Sequence, residues 1–152
     1  MDTFKHTAMV LEFDKPNLNR RVYPSSLAKS ILKQFQDRID NPVIGMLDNP
    51  SDSVIHFAMA SHLVTRLWVE QSNSIGTKPI SSLPGSKLMC EVEVLDTPCG
   101  QTLRSLLKEH PESVAFRPMG VGSGTVNPDG VLVIGEGYKF ITINAIPAHE
   151  AS

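Results

Sequence analysis

Short runs in which apolar and polar residues alternate one by one limit what this chain can fold into more than any other feature. Lys87 to Leu95 sets Leu88, Cys90, Val92 and Val94 on one face and Met89, Glu91, Glu93 and Leu95 on the other. A period of two suits a half-buried strand and not a helix. Lys5 to Phe13 repeats it, with Thr7, Met9, Leu11 and Phe13 opposite His6, Ala8, Val10 and Glu12. So does the end of a long or bent extended stretch from Val54 to Glu70, where Leu63, Thr65, Leu67 and Val69 alternate with His62, Val64, Arg66 and Trp68. Shorter extended segments are Arg20 to Pro24, Val43 to Leu47, Ser113 to Gly122, Val131 to Ile134 and Tyr138 to Ile146.

Two segments break this rhythm. After Ser25 or Ser26 as cap, Leu27, Ile31, Phe35 and Ile39 recur at four-residue steps, which predicts a helix through Ile39. Asp96 or Thr97, followed by Pro98 at the first helical position, opens a second helix carrying Leu103, Leu106 and Leu107, and Pro111 closes it. Asn127-Pro128-Asp129-Gly130 is a hairpin turn. Gln71 to Ser86, with Gly76, Pro79, Pro84 and Gly85, has no period and reads as a mobile surface loop. The sum is six or seven strands, mostly antiparallel by their short connections, and two helices. The predicted fold is one α+β domain spanning residues 1–152, a small closed or nearly closed β-barrel with flanking helices, which leaves few raw edges.

A chain of 152 residues suffices for one core and not for two ordinary domains. With 41% apolar and 20% charged residues and a formal charge of -2, it has a globular composition with no electrostatic call for nucleic acid or membrane. No window approaches a membrane span and the first residues lack a secretory pattern, so a soluble protein made in a cytoplasm is expected. Cys90 and Cys99 have no close Cys or His neighbours in sequence, which fits a reduced compartment and bystander thiols. His6, His110 and His149 are too scattered for a metal site, and Asp48, Asp52 and Glu150 read as solvated loop acids. No cofactor is implied.

In Ser113-Val114-Ala115-Phe116-Arg117-Pro118-Met119-Gly120-Val121-Gly122 a strand pattern runs into a basic residue and a small-residue turn. Such a junction can deliver one small side chain to a cleft while backbone N–H groups and an arginine face developing negative charge. The small side chain here is Ala115. The plainer reading is a buried strand ending in a turn.

Further segments stand in a telling order: Asn17-Leu18-Asn19-Arg20-Arg21-Val22-Tyr23-Pro24, Gly45-Met46-Leu47-Asp48-Asn49-Pro50, Ser61-His62 to Trp68, Thr97-Pro98-Cys99-Gly100-Gln101-Thr102-Leu103, and Val114 to Gly120. Together they resemble the prohead (procapsid) maturation proteases of tailed bacteriophages, which share a fold with herpesvirus assemblin. The resemblance implies an intracellular serine endopeptidase that trims scaffold and capsid proteins inside the immature head, using a serine, a histidine and a third, usually acidic, residue. The family histidine precedes proline in Gly-x-Leu-x-His-Pro, and that place holds Asn49. The nucleophile stands two before arginine in Gly-Val-Ser-x-Arg-Gly, and that place holds Ala115. The third position, beyond Tyr138-Lys139 on the last strand, holds Asn144.

If those placements hold, the chain lacks the chemistry. Ala115 has no oxygen to attack a carbonyl, Asn49 no ring nitrogen to take a proton, and Asn144 no charge to steady an imidazolium. Arg117 and Phe116 could still line a residual oxyanion site or groove, yet Pro118, standing where the family has glycine, removes a backbone donor from that turn. Ser113, His56 and His62 are the residues that could rebuild a site; Ser113 would share a strand face with Ala115, and His62 reads more simply as a half-buried structural histidine. The resemblance thus implies a non-catalytic, structural part of a phage head, oligomeric in the virion, with major capsid or scaffold protein as partner. An active serine endopeptidase and a generic binding module are the alternatives.

Overall fold

The computed structural model describes residues 3–17, 19–38, 40–71 and 86–150. Leu18, Ile39 and the interior of the Gln71 to Ser86 loop, for which the sequence suggests a family match, the end of a helix stripe and a mobile loop, lie outside the described residues. Nine strands are present among those described: β1 (Phe4–Glu12), β2 (Arg21–Val22), β3 (Val43–Met46), β4 (Ala60–Glu70), β5 (Lys87–Val94), β6 (Val114–Val121), β7 (Gly124–Val126), β8 (Leu132–Ile134) and β9 (Lys139–Pro147). Helix α1 covers Ala28–Gln36 and α2 covers Pro98–Glu109.

The strands form three sheets: an antiparallel β1-β5-β4-β3, a mixed β2-β8-β7 in which β2 and β8 run parallel, and the antiparallel pair β6-β9. The mostly antiparallel α+β reading holds; of the closed or nearly closed barrel, no closed form is found among the described residues. Between β3 and β9 there is a single bridge, Leu47 to Ala145, after which Asp48 turns the chain with φ 80. β6 meets β1 by side-chain packing, with His6 stacked on Phe116 at 5.8 Å between ring centres. β6 also carries Pro118, which has no N–H to offer another strand.

Strands β1 and β4 each hide a bulge that periodicity alone does not reveal. In β1 the register slips between Met9 and Leu11, so Ala8 and Leu11 face inward while Met9 is 41% exposed. In β4 it slips between Val64 and Arg66, so His62 and Val64 face inward before the slip and Leu67 and Val69 after it. One inserted residue flips every later side chain to the other face. β5 has no slip, and Leu88, Cys90 and Val92 are wholly buried as its alternation requires.

The helices cover the core ends. α2 starts as predicted: Thr97 Oγ1 accepts from Gly100 N at 2.9 Å, Pro98 takes the first position, and Leu103 and Leu107 turn inward. α1 starts differently. Ser25–Leu27 form a 3₁₀ turn with no side-chain cap, and the Ser25 amide donates to Asp14 Oδ1 at 2.8 Å, so a loop carboxylate does the work assigned to Ser25 or Ser26. Leu27 and Ile31 are buried and Phe35 partly so. Val54 to Met59 is not strand; its last three residues form a 3₁₀ turn.

Candidate functional site

Asn144 sits on the last strand opposite Arg117 of β6, and Ala115 opposite Ile146. Directly paired residues share a sheet face, so Ala115, Arg117, Met119 and Asn144 all project to one side. Ala115 and Asn144 are diagonal neighbours, about 7–8 Å apart by ladder geometry. The Asn144 side chain is fully buried and well satisfied: its Oδ1 accepts from Met46 N at 3.0 Å, and its Nδ2 donates to Asn49 Oδ1 at 2.8 Å and approaches Met119 Sδ at 3.4 Å. Asn49 arrives there because β3 ends in the turn at Asp48, whose carboxylate accepts from Asn49 N at 2.8 Å. The structure therefore joins Asn49 to Asn144 and sets Ala115 on the same face nearby.

Hydrogen-bond direction is fixed along this relay. A backbone N–H can only donate, so Met46 assigns the oxygen of Asn144; its nitrogen then donates to the oxygen of Asn49. The pair is neutral and holds no group that could shuttle a proton near pH 7.

Asn49 and Arg117 line a cleft of about 290 Å³, together with Arg21, Tyr23, Ser53 and Tyr138. The Asn19 amide oxygen, in the orientation its partners require, accepts from both terminal nitrogens of Arg117. A second, apolar hollow of about 330 Å³ lies beyond the 47–49 segment, lined among others by Leu47, Leu106, Ser113 and Ile146.

The remaining sequence candidates disperse. Phe116 is no groove residue: it points to the core face, 3% exposed, edge-on to His62 at 5.6 Å. Ser113 is not on the strand, so it does not share the face of Ala115; it ends the 3₁₀ turn Pro111–Ser113 and its Oγ donates to the His110 carbonyl at 2.7 Å. His56 is a loop residue whose Nε2 pairs with Asp52 at 2.8 Å, and that contact draws the Asp52 carboxyl below its ordinary pKa.

His62 is fully rather than half buried. Its Nε2–H donates to the Ile143 carbonyl and its Nδ1 accepts from the Ser61 hydroxyl, each at 2.8 Å. Here a hydroxyl does lie within bonding reach of an imidazole. Ser61 and His62 are both 0% exposed, however, and burial lowers the imidazole pKa to about 4, against the Ile143 bond that favours protonation. A substrate cannot reach this pair, and its ring is too weak a base for the task. Among the described residues no cluster of three His, Cys, Asp or Glu could hold a metal, and no helix is long and apolar enough to cross a membrane.

Sequence reasoning passed over Tyr23, Ser53 and the Asn19–Arg117 contact as parts of the cleft. Only the family motif around Asn17 to Pro24 hinted that this loop belongs near the site.

No family model and no curated protein matches the sequence. Among solved structures, the capsid assembly protease gp21 of bacteriophage T4 is similar, with a TM-score of 0.69 and 19% identity, covering 93% of this chain and 80% of that one. At that identity the likeness is one of fold. In architecture the chain is a phage prohead protease-like domain.

Proposed function

We propose that this chain is a non-catalytic member of the prohead-protease fold, serving as a structural or assembly component of a tailed-phage head and contacting major capsid or scaffold protein. The amide pair Asn49–Asn144 beside Ala115 carries the reading: where the resemblance calls for imidazole, acid and hydroxyl, the chain has two amides and a methyl group. The fold likeness to a capsid assembly protease supports the setting. Incubation with the scaffold and capsid proteins of its own phage should leave both intact, and mature particles should retain many copies of the chain. Cleavage that disappears on replacing Ser113 or His56 overturns it.

A second reading, an active serine endopeptidase, draws on the Asp52–His56 pair, a carboxylate-braced imidazole on the loop that carries Asn49. Among the described residues no hydroxyl is hydrogen-bonded to that ring, so it lacks the nucleophile.

A further inference from the structure

The cleft beside the amide pair carries several donors. Arg21 and Arg117 both face it, and among the described residues no aspartate or glutamate does. Asn49 spends its oxygen on Asn144, which leaves its Nδ2 hydrogens without a partner among the described residues. Tyr138 lines the cleft as well; the residue is 6% exposed, and its buried hydroxyl lies close to Tyr23 without a well-formed hydrogen bond among the described residues.

The phenol is held in place from below and from the side. A Cβ on Gly120 would fall 2.4 Å from its oxygen, so the ring lies over a residue with no side chain, and Tyr23 meets it edge-on at 5.7 Å. Burial, and then the charge and hydroxyl of Tyr23, push the Tyr138 pKa well above the ordinary phenol value, and both Arg21 and Arg117 are near enough to pull the other way. The phenol is thus a neutral wall of the cleft that leaves the arginine charges unopposed. Arg117 is steadied by the neutral Asn19 amide, which orients the guanidinium without offsetting its charge.

We infer that this cleft binds a tetrahedral phosphate, as the free ion or as a monoester, with Arg21 and Arg117 on its oxygens and the Asn49 amide donating to it. A carboxylate would offset one of the two guanidinium charges; a phosphate monoester, at about -1.5 to -2 near pH 7, comes closer to offsetting both and supplies three acceptor oxygens. The inference stands apart from the head-component reading, since it needs neither a capsid nor cleavage.

The test is calorimetric titration of the whole chain at constant ionic strength with inorganic phosphate, phosphoserine and acetate. One saturable phosphate site is expected, with acetate at least about tenfold weaker. Tighter binding of phosphoserine than of phosphate assigns the site to monoesters, and the opposite order to the free ion. Arg21→Gln and Arg117→Gln, checked for folding by circular dichroism, should each weaken phosphate at least about tenfold. Acetate binding as tightly as phosphate, no saturable heat, or arginine variants that fold and bind unchanged would each overturn the assignment.

Discussion

Asn144 Nδ2 donates to Asn49 Oδ1 at 2.8 Å, joining the last strand to the turn that follows β3 across 95 residues of sequence. A buried amide satisfied on both sides helps to tie two sheets that are also joined by the Leu47–Ala145 bridge and by the bonds of Thr142 Oγ1 to the Ile44 carbonyl and of His62 to the Ile143 carbonyl. Asn144→Ala should therefore destabilise the fold by about 2–3 kcal/mol, since it strands the Met46 N–H as well as opening a small void. Urea denaturation measures this; a loss under about 0.5 kcal/mol would mean that the pair is not structural.

Restoring one atom does not restore a reaction. Ala115→Ser puts a hydroxyl on the face shared with Asn144, where the nearby side chains are amides, a thioether and the Arg117 guanidinium. With no imidazole to take its proton, the serine should label no faster with a fluorophosphonate probe than surface serines do, and should cleave no peptide. Rapid, stoichiometric labelling of Ser at position 115 would show that a base reaches it after all.

What could be read in the sequence, and what could not, follows from the range of the forces involved. β5 and α2 were legible because their burial patterns and the Thr97-Pro98 start are local. The inward faces of β1 and β4 were half legible: the alternation is there, but the slips at Met9/Leu11 and Val64/Arg66 depend on partner strands. β2 and β7, with two and three residues, are too short to show any period. Among the described residues the strands form three sheets and not one closed barrel, a matter of long-range strand pairing that a hydrophobic pattern does not encode. At the site, motif order led to Asn49, Ala115 and Asn144, whereas the meeting of Tyr138 with Tyr23 and the grip of Asn19 on Arg117 are contacts between residues far apart in the chain.

The buried imidazole of His62 makes the fold acid-sensitive in a defined window. Its folded pKa of about 4 lies below the ordinary 6.5. Above pH 6.5 the ring is neutral whether the chain is folded or not; as pH falls toward 4 only the unfolded chain takes up the proton, so stability drops; below 4 both states are protonated and the loss levels off. The full drop from this group is about 3 kcal/mol. Denaturation midpoints from pH 7 to 4 should show it, and His62→Gln should flatten the curve. An imidazole NMR signal titrating near 6.5 in the folded protein would contradict the burial argument.

Gly45 faces His62 directly across the β3–β4 ladder, and a Cβ at Gly45 would sit 1.9 Å from Nε2. That nitrogen cannot retreat without giving up the Ile143 carbonyl, so the ring needs a residue with no side chain beneath it. Gly45→Ala should cost about 3 kcal/mol through overpacking, although β-strand geometry by itself does not disfavour alanine there. The cause can be separated from any general fragility of β3. With His62→Ala already in place, the added Gly45→Ala should cost less by about 2 kcal/mol, a coupling that a double-mutant cycle in urea reads directly. Additive losses would mean that Gly45 is required for the backbone and not for the imidazole that rests on it.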